Sequence, residues 1–178
     1  DREPDPEWLL SEGLRLEGHP DNLAAALAGG ACITVGGRIE HLADDVPLAP
    51  IALVPSSRVA TAEARAALPK QVPLGDAVYT VGRAVTLGAA LATQSEDLFA
   101  MSLTDRLHEP YRAEHAPMLE EVRSDLPPGA RGATISGSGP TVIVWAEKHS
   151  ADDCAVALSS RFPDVEVLGG PGHVVTPG

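Results

Sequence analysis

Four short stretches of the chain gather side chains that can do chemistry. Glu17-Gly18-His19-Pro20-Asp21-Asn22 sets an imidazole, a carboxylate and an amide side by side just before a short apolar run. Such a trio suits binding a polar substrate at a helix N-terminus; the plainer reading is a capping turn with a surface histidine. Ser136-Gly137-Ser138-Gly139-Pro140 lies between two apolar segments. Its glycines let the backbone turn sharply and approach a ligand, and successive N–H groups can form an anion nest. Taken alone, such a loop is more often an ordinary turn between strands. No Gly-Lys-Ser/Thr follows it and it is not a GxGxxG, so neither of the common nucleotide loops is present there. Thr61-Ala62-Glu63-Ala64-Arg65 and His108-Glu109-Pro110-Tyr111-Arg112 each end on an arginine able to grip a carboxylate through two hydrogen bonds. Singly, each reads as a solvated arginine or a structural ion pair.

The elements that must position these groups follow from periodicity and punctuation. Residues 6–17 read as a short helix with Trp8, Leu9, Leu14 and Leu16 on its apolar side. Asp21 or Asn22 is placed to cap a helix over Leu23–Leu27 that ends at Gly29-Gly30. Strands are expected at Ala31–Val35, Arg38–Leu42 and Pro50–Val54. Thr61 reads as a helix cap, and a long helix is expected from Pro73 to Leu91 with Val78, Val81 and Val85 among its apolar positions. Further helices are expected at 98–103, 115–122 and 151–161, and strands at 133–135, 141–145 and 165–168. This interleaving predicts an α+β fold, one mostly antiparallel sheet with helices on one face. Residues 1–45 are expected to form one unit and 46–178 another.

Composition narrows the classes. The chain has 178 residues, 44% hydrophobic and 21% charged, as in ordinary globular proteins. Its net charge of −12 disfavours phosphate backbones and anionic membranes, so neither nucleic acid nor a membrane is expected as a partner. No apolar run approaches the roughly 20 residues needed to span a bilayer. The first residues lack the basic and apolar regions of a secretory signal. Cys32 and Cys154 are in no CxxC and near no histidine cluster, so no metal site is expected. Both are expected to be buried and reduced, which suits the cytoplasm.

The order of the four stretches is more informative than any one of them. GHPDN, a helix ending in Gly-Gly, TxEAR, EPxR and ISGSGP closely resemble, in sequence and in order, the homoserine kinases of the GHMP small-molecule kinase superfamily. The likeness runs roughly from Leu10 to Val167. ISGSGP resembles a motif of the whole superfamily; TxEAR and EPxR resemble homoserine kinases in particular. The resemblance implies a ferredoxin-like C-terminal domain, preceded at 1–45 by the last part of the N-terminal domain. It implies transfer of the ATP γ-phosphoryl to the side-chain hydroxyl of L-homoserine, on the route to threonine, with Mg²⁺. Under it Asn22 orients the hydroxyl, with Asp21 the alternative; Arg112 lies nearer the transferring group. His19, Arg65, Thr61 and the loop Ser136, Gly137, Ser138 and Gly139 bind substrate, Arg65 taking the carboxylate. A homodimer is compatible with the resemblance. The superfamily's ATP loop, PxxxGLGSSAA, does not occur in these 178 residues, so the chain by itself is expected to be inactive. Two alternatives stay open: another small-alcohol kinase of the superfamily, such as a mevalonate kinase, or a non-catalytic ligand-binding relative.

Overall fold

The computed structural model describes residues 6–17, 20–36, 38–57, 64 and 66–169. The chain divides into two compact units, 1–46 with 91–94, and 47–90 with 95–178.

The first unit begins with helices α1 (Pro6–Glu17) and α2 (Pro20–Ala28). Helix α2 starts earlier than its apolar run predicts. Asp21 and Asn22 therefore sit inside its first turn instead of preceding it. The helix stops where Gly29, at φ +66°, returns its N–H to Ala25 O at 3.0 Å, the left-handed ending that glycine adopts without strain. Gly30 is needed for space as well: a Cβ there would meet Ala43 O at 2.4 Å. Strands β1 (Ala31–Val35) and β2 (Arg38–Ala43) form an antiparallel hairpin with an irregularity between Ala31 and Cys32. Cys32 is half-buried on β1, not buried as its apolar neighbours predict, because a two-stranded hairpin cannot enclose both of its faces.

The second unit is built on four antiparallel strands, β3 (Ala49–Val54), β4 (Ala130–Ile135), β5 (Val142–Ala146) and β6 (Glu166–Leu168). Their order across the sheet is β4-β5-β3-β6. The first strand of the unit thus lies between its third and fourth, the βαββαβ arrangement of a ferredoxin-like fold. Period-two alternation decides the faces. Ile51 and Leu53, Ala133 and Ile135, and Val142, Val144 and Ala146 form one buried core with Leu119, Val122, Cys154 and Leu158. The last four come from α6 (Pro117–Ser124) and α7 (Ala151–Arg161). Arg161 ties these helices together by donating to Glu121 O and Asp125 O, both at 2.6 Å, where α6 runs out of its own donors. The opposite sheet face is not bare. Trp145 meets Phe99 edge-on at 4.9 Å and donates to Thr134 Oγ1 at 3.0 Å. Phe99 comes from α4 (Glu96–Ser102), which follows the long α3 (Leu74–Thr93). The short α5 (Glu109–Arg112) leads through a 3₁₀ turn, Ala113–His115, into α6. Pro117 separates that turn from the helix, so the predicted 115–122 helix is two pieces.

Candidate functional site

Two of the four stretches, EPYR and SGSGP, are brought together by the second unit. Arg112, at the end of α5, donates from Nη1 to Gly137 O at 2.8 Å. The receiving loop is shaped by its own backbone. Ser136 N–H donates to Thr141 O and Gly139 N–H to Ser136 O, each at 2.9 Å. Gly137 and Gly139 take φ of +56° and +80°, which side-chain-bearing residues adopt only under strain. The peptide bond between Gly139 and Pro140 is cis. The N–H groups of Gly137 and Ser138 take no part in the loop's backbone bonding among the described residues, so they are available to an anion. Arg112 Nε is buried with no hydrogen-bond partner, and so is His108 Nδ1 four residues before it. An arginine that spends one N–H on the loop and has a buried Nε–H without a partner is a donor waiting for an acceptor.

What holds Arg112 there was not visible in the sequence. The Asp105 carboxylate accepts the backbone N–H groups of Leu107, His108 and Glu109 through one oxygen, capping α5 from outside. Burial pushes this carboxyl up, but the N–H donors and the nearby His108 outweigh it and hold its pKa below the usual value. Glu109, 5% exposed, is ion-paired with Arg123 of α6 at 2.9 Å. The same arginine donates to Ala133 O on β4 at 2.7 Å and to Leu103 O at 3.1 Å. Ile135 N–H lies 3.4 Å from the second Glu109 oxygen. The strand that launches the glycine loop and the turn that carries Arg112 are thus fastened to one buried ion pair. A glutamate preceding a proline carries no sign of such a role; its partner is 14 residues away on another helix.

In the first unit, Asp21 and Asn22 belong to the first turn of α2. His19, Thr61 and Arg65 lie outside the described residues. Glu12 is ion-paired with Arg15 at 3.2 Å. Both border a cavity of about 460 Å³ between α1 and α2, lined otherwise by Trp8, Leu9, Gly13, Leu23 and Leu27. Its walls are mostly apolar among the described residues. Among the described residues no three His, Cys, Asp or Glu side chains group to hold a metal ion. No helix among them is long and apolar enough to cross a membrane.

Residues 82–164 match the family described as GHMP kinases C terminal. Over 163 residues the chain is 41% identical to a homoserine kinase of Gloeobacter violaceus, covering 89% of this chain and 54% of that protein. A homoserine kinase of a Synechococcus species is 36% identical, with 90% and 53% covered. The crystal structure of homoserine kinase from Cytophaga hutchinsonii superposes with a TM-score of 0.81 at 28% identity, covering 94% of this chain and 57% of that one. The chain therefore spans about half the length of the curated relatives it matches.

Proposed function

We propose that this chain is the acceptor-side portion of a homoserine kinase, which moves the γ-phosphoryl of ATP to the side-chain hydroxyl of L-homoserine. The observation that carries the reading is the Arg112–Gly137 contact with Arg112 Nε left unpaired, set beside relatives named as homoserine kinases at 41% and 36% identity. Phosphoryl transfer passes through a loose transition state, so an enzyme gains most by positioning and by neutralising charge. Arg112 and the free N–H groups of Gly137 and Ser138 supply that near the transferring group. Arg65 pairs with the amino-acid carboxylate, with His19 and Thr61 completing the polar contacts. Asn22 orients the hydroxyl. An amide cannot take its proton, and Asp21 is the carboxylate next to it. Mg²⁺ accompanies ATP in this reading, but the described residues offer it no donor set, and no step is assigned to it. Threonine biosynthesis is the pathway such an activity serves, and the cytoplasm its place.

The test uses the protein extended to the length of its relatives and follows ADP release. L-homoserine should be phosphorylated faster than mevalonate at equal concentration. Loss of a charge-assisted contact in a pocket costs roughly 2–5 kcal/mol, so Arg65→Ala should raise the KM for homoserine at least about tenfold. Faster turnover of mevalonate, or a KM unmoved by Arg65→Ala, refutes the assignment.

A further inference from the structure

Among the described residues, two buried side-chain nitrogens lack a hydrogen-bond partner, Arg112 Nε and His108 Nδ1. They belong to one turn of the chain: His108 O accepts the N–H of Arg112 at 3.1 Å. Buried polar atoms are nearly always paired, because an unpaired one has lost its water and gained nothing in return. Here two of them fall on one turn, beside the glycine loop that Arg112 touches at Gly137 O. Side chains one helical turn apart are within reach of a single acceptor.

The imidazole has no visible structural duty. Its other nitrogen, Nε2, stands 3.7 Å from Asp105 Oδ1, too far for a hydrogen bond. That oxygen already accepts the backbone N–H groups of Leu107, His108 and Glu109. His108 occupies the cap position of α5 but makes no side-chain cap bond. The ion pair that fastens the turn is made by Glu109 and Arg123 without it. The His108 side chain is 38% exposed, so a ligand can reach the ring from solvent while Nδ1 itself is sheltered. The Arg112 Nε–H can only donate, so a shared partner must accept. An oxyanion oxygen does only that, and opposite it His108 carries a hydrogen on Nδ1.

We propose that His108 is a further ligand-binding residue of this site, its Nδ1–H joining the Arg112 Nε–H on one oxyanion oxygen. The proposal deepens the kinase reading of the EPYR turn and rests on it. The ligand chemistry is that of a phosphoryl or carboxylate oxygen. The proposed reaction brings in both, on ATP and on the amino-acid acceptor. Hydrogen bonds to a charged group are the strong ones, and a second donor one turn from the first fixes the direction of the oxygen as well as its charge. The backbone N–H groups of Gly137 and Ser138, unused within the loop, suit other oxygens of the same group. The functional stretch thus begins one residue before EPYR.

The test separates the two ring nitrogens. An asparagine amide reproduces a donor at the Nδ1 position, a glutamine amide one at Nε2. In the protein extended to the length of its relatives, ADP release with L-homoserine is the readout. His108→Gln should lower kcat/KM at least about tenfold, while His108→Asn stays within about threefold of the parent. Urea midpoints of both variants should match the parent's. A loss confined to the KM for homoserine assigns the oxygen to its carboxylate; a loss in kcat or in the KM for ATP assigns it to the phosphoryl group. A ring that acts only through Asp105 predicts the reverse order, glutamine tolerated and asparagine not. That order overturns the proposal, as do two variants that match each other. A parent that phosphorylates no homoserine sinks the kinase reading, and a second measurement, on the 178-residue chain, then decides this inference alone. Imidazole nitrogen NMR should show the His108 Nδ1 resonance moving with about 50 mM inorganic phosphate or acetate, as a millimolar anion site requires. Sodium chloride at equal ionic strength should not move it, and neither anion should move it in Arg112→Ala. A His108 resonance indifferent to both anions overturns the inference whatever the enzyme does.

Discussion

Removing Arg123 is the sharpest probe of what holds the EPYR turn in place. Arg123→Ala would leave the Glu109 carboxylate, 5% exposed, without its partner at 2.9 Å. It would also strip a donor from Ala133 O and from Leu103 O. Breaking a buried ion pair by deleting one member costs about 3–5 kcal/mol, mostly from the charge left behind. Arg123 is partly exposed, so water can reach the site and the lower end, about 3 kcal/mol, is the expected value. With a urea slope of about 1.5–2 kcal/mol per molar for a unit of this size, the midpoint should fall by roughly 1.5–2 M at unchanged slope. Trp145 reports the transition, because it packs on Phe99 inside the unit. The control is Glu109→Gln with Arg123→Met, which removes both charges together. It should recover part of the loss, since a neutral pair of similar volume leaves no buried charge. If Arg123→Ala shifts the midpoint by less than the equivalent of about 0.5 kcal/mol, the pair is a surface contact in energetic terms. The account of how Arg112 is positioned then fails.

Three further outcomes are expected. Asp105→Ala should cost about 1 kcal/mol, the usual worth of a cap. The native carboxyl lies below its ordinary pKa of 3.8, so its contribution is complete above that value and fades as pH falls through the lower native one. Asp105→Asn should therefore flatten the acid limb of the stability–pH curve, as read by urea midpoints. The Cys154 thiol is fully buried and pushed up to about 11 by that burial, whereas Cys32 is half-buried. A disulfide reagent at neutral pH should modify one thiol quickly and the second at the rate of unfolding; two fast thiols would refute the burial argument. Leu158→Ala, at a site with no exposure, should lose about 2–5 kcal/mol in the same urea assay.

The strands of the second unit were legible because alternation was undisturbed. Val142, Val144 and Ala146 are buried while Ile143 and Trp145 are less so, and the 151–161 helix carries its apolar residues at helical spacing. Strand β4 extends upstream to Ala130, through Arg131 and Gly132, where no hydrophobic alternation marks it. Arg131 is held there by Asp97 at 2.6 Å and Glu147 at 3.2 Å, partners that only the fold supplies. The helix at 109–112 was hidden because its cap is Asp105, three residues upstream of the usual position. The motif residues were legible as a series, from their types and order. The Arg112–Gly137 contact was not, because it joins positions 25 apart.

Helix α3 separates the two kinds of legibility. Periodicity alone fixes that it is a helix and which side is apolar, but not which side faces inward. That depends on Tyr79, Thr80 and Arg83 finding Thr104, Arg106 and Met101 across the unit. Three polar contacts to a neighbouring segment, about 0.5–1.5 kcal/mol each, are worth less than the burial of the four exposed apolar side chains Leu74, Val78, Val81 and Val85, about 1.5–3 kcal/mol each if complete, so they do not by themselves account for the orientation. Such an arrangement is costly for an isolated chain, and the hydrophobic rule applied to the sequence alone turns the same stripe inward.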